Sequence, residues 1–126
     1  MLGSFGIAVT TISLLLSLSL LYLSYYDLKL SSNRVSKKIY KFSFIQILLT
    51  FLSFITLIMA YVISDFSLIN VYENSHTTKP LFYKISGTWG NHEGSLLLWI
   101  NILVLFSFLF LILDENKNKN FRLYTL

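Results

Sequence analysis

His92 and Glu93 stand side by side at the mouth of a long apolar run, with Trp89 and Trp99 on either side, in KISGTWGNHEGSLLLW from Lys84 to Trp99. Ionisable groups beside a lipid-crossing segment are costly to desolvate, so they sit in water, find a partner or serve a site. A neutral imidazole is the usual metal ligand and can hold haem iron. A carboxylate in the first turn of a helix is instead stabilised by the helix dipole, by about 0.3–1 kcal/mol when exposed. Residue types alone leave both readings of the pair open, ligand or cap. Two other chemistries are excluded. An HExxH zinc site needs a second histidine where Leu96 stands, and neither GxxxxGK[ST] nor GxGxxG occurs. A Ser–His–Asp hydrolase is matched by inventory only, because geometry decides it. His76, in NSHTTKP, reads as a solvated loop residue.

The elements that must position these residues are membrane helices. The chain has 126 residues, 55% hydrophobic and 13% charged. Asp, Glu, Lys and Arg are absent from Met1 to Tyr26, Phe42 to Ser64 and Gly94 to Leu113. A helix crosses a hydrocarbon core with about 20 mainly apolar residues, and lipid offers no partner to unpaired backbone groups. The expected fold is therefore an all-α integral membrane protein, a single membrane domain over 1–126. Its three transmembrane helices are expected at about 4–26, 42–64 and 95–113, with one structured outer-face segment at 65–94. A signal peptide is disfavoured at the start, since no basic residue precedes the first apolar run. With no cysteine, the chain offers no disulfide, thiolate metal site or CxxCH haem attachment.

The net charge of +4 is distributed as a topology, not as a nucleic-acid patch. Lys29, Arg34, Lys37, Lys38 and Lys41 lie between the first two spans, and Lys117, Lys119 and Arg122 follow the third. Lys79 and Lys84 are offset by Asp65, Glu73 and Glu93. Positive-inside logic puts the first connection and the tail in the cytoplasm or matrix, and residues 65–94 on the opposite face.

Span one places Gly3, Gly6, Thr10, Ser13, Ser17 and Ser24 on one face; span two does the same with Ser43, Gln46, Thr50, Ser53, Ala60 and Ser64. Such stripes let helices approach closely and hydrogen-bond, and are expected to dock against further helices. Asn101 in span three is a candidate for a single inter-helix hydrogen bond. Tyr22, Tyr25, Tyr26, Tyr40 and Tyr61, with Trp89 and Trp99, fit interfacial aromatic belts. Residues 65–93 carry too many apolar groups for disorder. Phe66, Leu68 and Val71 suggest a short extended piece. Lys79-Pro80 should break the chain, because the residue before proline is pushed from the helical region. Leu81 to Ile85 would then lie along the membrane surface. Gly87, Gly90 and Gly94 allow close approach by a ligand or another helix.

The stretch SDFSLINVYENSHTTKPLFYKISGTWGNHEGSLLLW, Ser64 to Trp99, closely resembles the N-terminal region of the CcmF family of cytochrome c maturation proteins. The matching positions are Ser64, Asp65, Phe66, Val71, Asn74, Ser75, His76, Pro80, Tyr83, Lys84, Trp89, Gly90, His92, Glu93, Gly94, Ser95, Leu97, Leu98 and Trp99. The family is the haem-lyase component of the pathway and is related to a nitrite-reductase-associated assembly protein. The resemblance implies thioether formation between haem vinyl groups and the cysteines of a CxxCH apocytochrome c.

Family members are much longer and carry a tryptophan-rich WWD segment that handles haem. This sequence has no such segment, and the family's haem-ligating histidines do not map onto His76 or His92. The resemblance therefore implies an N-terminal fragment or split subunit, with no catalytic residue of its own. Haem binding belongs to the complete complex, and no metal ligand is assigned here. Asp65, His76, Pro80, Lys84, Trp89, Gly90, His92, Glu93, Gly94, Ser95 and Trp99 form the signature and docking surface. Implied partners are the remaining CcmF portion, other maturation proteins, apocytochrome c and membrane lipid, with no nucleic acid. The location is a bacterial inner membrane with 65–94 in the periplasm, or a mitochondrial inner membrane with 65–94 in the intermembrane space. The alternatives are a truncated, non-functional remnant and a small unrelated membrane scaffold.

Overall fold

The computed structural model describes residues 2–29, 35–113 and 123–126. Arg34, Lys117, Lys119 and Arg122, which contribute to the alternating charge pattern, lie outside the described residues. Every regular element among the described residues is helical. Three helices are long and apolar enough to cross a membrane: α1 (Leu2–Lys29), α2 (Lys37–Ile63) and, after two short ones, α5 (His92–Leu113). The short helices α3 (Ile69–Asn74) and α4 (Leu81–Gly87) lie between α2 and α5. This is an all-α membrane protein.

Helix ends are fixed by local chemistry. Ser36 precedes α2 in extended backbone, and its side chain accepts the Lys38 N–H at 3.4 Å. The Ser36 N–H itself donates to Asp27 Oδ2 at 3.1 Å, tying the end of α1 to the start of α2. Ser64 ends α2 in the left-handed region, φ 57° and ψ 51°, which L residues other than Asn and Asp seldom adopt. That turn lets the Asp65 N–H reach Ala60 O at 2.9 Å and satisfies a carbonyl at the helix end. Pro80 sits just before α4, where its missing N–H costs nothing. Residues 69–74 are helical and not extended. Only Leu68, φ −91° and ψ 122°, keeps the extended geometry, and it serves as the entry to α3.

The small-residue stripes pack against each other. Gly3, Ser13 and Ser24 on α1 are buried, as are Ser43, Gln46, Thr50, Ser53 and Ala60 on α2. Gln46 Nε2 donates to Ser13 Oγ at 3.0 Å, and a Cβ on Gly6 would stand 3.4 Å from Thr56 Cγ2. Lipid gives no hydrophobic drive to helix pairing, so close approach and hydrogen bonds must provide it. Part of each stripe is therefore taken up by the α1–α2 seam, while Thr10 and Ser17 of α1 remain exposed. Hydroxyls along the seam also donate to their own helix, as Ser24 does to Leu20 O at 2.7 Å and Thr50 to Gln46 O at 3.0 Å. Asn101 behaves likewise, donating to Leu97 O at 2.9 Å within α5 and not to another helix.

Apolar clusters close the two ends of the seam. Leu20, Val35, Ile39, Leu111 and Leu123 form one; Ala60, Tyr61 and Val71, flanked by Leu57 and Leu68, form the other. The helix α5 packs along α2 but is otherwise bare, with only Gly94 and Leu111 buried.

Candidate functional site

The segment from Ser64 to Gly94 is a folded cap seated on the end of α2. Tyr61, the last aromatic of that helix, is completely buried, and its hydroxyl is the hub. It donates to the Asn70 carbonyl oxygen at 3.1 Å and lies against Asn70 Oδ1, while Asn91 Nδ2 donates to it. Asn91 Nδ2 also reaches Asn70 Oδ1 and Gly87 O, both at 3.1 Å. Asn70 Nδ2 in turn donates to Glu93 Oε2 at 2.9 Å. One cluster therefore pins α2, α3, the α4–α5 turn and the first turn of α5. Tyr61 is consequently no lipid-facing anchor, because a buried phenol needs partners and the two asparagines supply them.

Asn91 has a second task. It precedes α5, and its Oδ1 accepts the Gly94 N–H at 2.6 Å, the arrangement of a helix N-cap. Asparagine is among the best residues for that position. The cap of α5 is therefore Asn91, not the His92–Glu93 pair. Glu93 lies in the first turn, where the dipole favours its charge. His92 is exposed and lends its carbonyl to the Ser95 hydroxyl at 2.9 Å.

Gly94 meets the tightest contact. A Cβ there would stand 1.6 Å from Thr88 O and 2.8 Å from Thr88 C. The α4–α5 turn can fold back onto the start of α5 only without a side chain at 94. Thr88 is itself fully buried. Gly87 faces the Tyr61 ring, with an added Cβ 3.6 Å from Cε1. The Gly90 N–H closes the turn on Ser86 O at 3.1 Å.

The remaining sequence-derived positions fall around this knot. Lys84 reaches back from α4, its Nζ 2.7 Å from Ser64 Oγ, and brings a cation to the C-terminal end of α2. Lys79 Nζ donates to Asn74 O at 2.9 Å and does the same for α3. Asp65 accepts from the Ser67 hydroxyl at 2.6 Å and the Ser67 N–H at 3.2 Å, which holds its carboxyl below the usual carboxylate range. His76 is exposed in the turn before Pro80, and Trp89 and Trp99 are exposed as well. Glu93 and Gly94 are thus built into the knot, whereas His76, His92 and the tryptophans stand on its outside. Among the described residues no group of three His, Cys, Asp or Glu could hold a metal.

Tyr61 and Asn70 are not legible as site residues from sequence. Asn91 has a readable signal, an N-cap residue type three positions before Gly94 at the start of an apolar run.

Three membrane-length helices carrying a polar-stapled cap define an α-helical integral membrane protein whose elaborated surface lies at one end. Comparison with known proteins narrows the class. The chain is 63% identical over 62 residues to the cytochrome c-type biogenesis protein CycK of Bradyrhizobium diazoefficiens, a match covering 49% of this chain and 9% of that protein. It is 67% identical over 60 residues to CycK of Rhizobium meliloti, covering 48% and 9%. It is 45% identical over 56 residues to the cytochrome c-type biogenesis protein CcmF of Haemophilus influenzae, covering 44% and 9%. About half of the chain is therefore similar to CcmF-type cytochrome c biogenesis proteins, as residues 64–99 suggest. The chain matches only about a tenth of the length of these relatives. No family model and no solved structure matches it.

Proposed function

We propose that this chain is the N-terminal three-helix part of a CcmF-type haem lyase, acting in c-type cytochrome biogenesis as a scaffold for covalent haem attachment to apocytochrome c. The observation that carries the reading is the pairing of high identity to cytochrome c-type biogenesis proteins with a segment 64–94 folded into a rigid cap. Rigid elements place binding groups better than loops do. The knot holds the exposed Trp89, His92 and Trp99 in fixed relation to the bundle end.

In this reading the cap faces the periplasm from a bacterial inner membrane, and Lys37, Lys38 and Lys41 face the cytoplasm. Haem, when bound in the complete complex, supplies the vinyl groups for thioether formation and is held by the remaining CcmF portion. This chain's own residues orient that portion. The indole faces of Trp89 and Trp99, with His92, Pro80 and His76, form the docking surface, and Asp65, Lys84, Gly90, Glu93, Gly94 and Ser95 shape the backbone beneath it. Other maturation proteins and apocytochrome c approach from the same side.

Affinity purification of the tagged chain from its native membrane tests this. Recovery of a polypeptide carrying the remaining CcmF spans is expected. A chain that purifies alone from membranes with that polypeptide present would contradict the reading.

A further inference from the structure

In the half of the seam nearer the start of α2, a cavity of about 70 Å³ opens between the three spans. It is lined by Ser17 and Leu20 of α1, Ser43 and Gln46 of α2, Val104, Ser107 and Phe108 of α5, and Leu126. Two of its polar atoms, Gln46 Oε1 and Ser43 Oγ, are buried with no hydrogen-bond partner among the described residues. Their side chains are only 6% and 3% exposed. Gln46 lies five residues beyond Lys41, the last charge before the second span, about 7–8 Å along the helix at 1.5 Å per residue. A buried amide or hydroxyl left unpaired costs about 1–3 kcal/mol, and lipid offers neither group a partner.

We propose that this cavity is an intramembrane water site that ties α5 to the α1–α2 pair. The space is large enough, since one water needs only about 10–15 Å³ of such volume and two to four polar partners. The partners are present. Gln46 Oε1 accepts a hydrogen bond from water. Ser17 has already given its hydroxyl proton to Leu14 O at 2.7 Å, so its oxygen is left as a further acceptor. Ser43 offers a hydroxyl from α2 and Ser107 one from α5. The polar side chains of the lining are uncharged, which suits water. The site also accounts for a feature that packing leaves unexplained: α5 has almost no buried side chain and no small-residue seam. Water bridging Ser43 and Gln46 to Ser107 gives its position a polar determinant.

Gln46 is the chain's sole glutamine, so side-chain labelling with nitrogen-15 glutamine yields one amide pair. Solid-state NMR transfer from water protons, recorded on the 126-residue chain in lipid bilayers with histidine nitrogen-15 labelled as well, reads the site directly, with the exposed His76 side chain as a hydrated reference. Transfer to the Gln46 amide at mixing times similar to those of His76 is expected, with a severalfold loss in Ser107→Val, whose branched side chain fills the space. A dry Gln46 in the unsubstituted chain would overturn the proposal. So would transfer that Ser107→Val leaves unchanged.

Discussion

Gly94 and Thr88 stand so close that a single methyl group at 94 would sit 1.6 Å from the Thr88 carbonyl oxygen. Within a helix, replacing glycine by alanine ordinarily stabilises by about 1 kcal/mol. Here the sign reverses, because the obstacle is backbone and cannot rotate away. Gly94→Ala is expected to destabilise the cap by about 3 kcal/mol or more, beyond ordinary overpacking. Limited proteolysis within residues 65–91 checks it, with Gly90→Ala as the milder comparison, since its Cβ would lie 3.4 Å from Ser86 O.

Tyr61 and Asn91 should behave as one unit. Tyr61→Phe removes a hydroxyl that both donates to Asn70 and accepts from Asn91, at the net cost of a lost hydrogen bond, about 0.5–1.5 kcal/mol. Asn91→Ala loses that contact and the cap of α5, itself worth about 0.5–2 kcal/mol. Because the residues share partners, the double variant should fall short of the sum, with a coupling of about 0.5–3 kcal/mol. Denaturant titration of the four proteins in detergent measures it; strict additivity would mean that the bond does not hold the cap.

Much of the fold is legible in residues alone. The charge-free runs coincide with the three long helices, because lipid tolerates so few alternatives to helix. The proline marks the start of α4, and the ordered signature from Ser64 to Trp99 carries the resemblance. The partners of each face are harder to read. Ser13 and Gln46 look like docking residues from either helix alone, and only the chain's own geometry shows that they meet. Tyr61 has the composition and position of a belt residue. Its burial depends on Asn70 and Asn91, 9 and 30 positions away, a separation that no periodicity encodes. A six-residue helix such as α3 is too short to leave a periodic pattern.

Asp65 gives the cap a pH dependence of known sign. Its folded carboxyl lies below the ordinary 3.8 because Ser67 hydrogen-bonds the charged form. The stabilisation is therefore complete above the unfolded value and is lost as pH falls through the folded one. Asp65→Asn keeps an acceptor for Ser67 but cannot titrate. Amide exchange at Ser67 should accelerate relative to the chemical rate below about pH 4 in the unsubstituted chain and stay level in the variant.

The seam can be tested covalently, since the chain has no cysteine to interfere. A Cβ at Gly6 would meet Thr56 Cγ2 at 3.4 Å, so the two positions face each other across the seam, the approach that a disulfide requires. Gly6→Cys with Thr56→Cys should cross-link on mild oxidation and migrate faster in a non-reducing gel. The pair Ile12→Cys with Met59→Cys, both exposed positions, should not.

The role proposed for this chain is support of covalent haem attachment to c-type cytochromes. Haem staining of membrane proteins on denaturing gels, before and after deletion of the gene, addresses it most directly. Loss of the stained c-type bands is expected, with recovery when the intact chain is supplied and little recovery with Gly94→Ala. Undiminished haem-stained bands in the deletion strain would contradict the account.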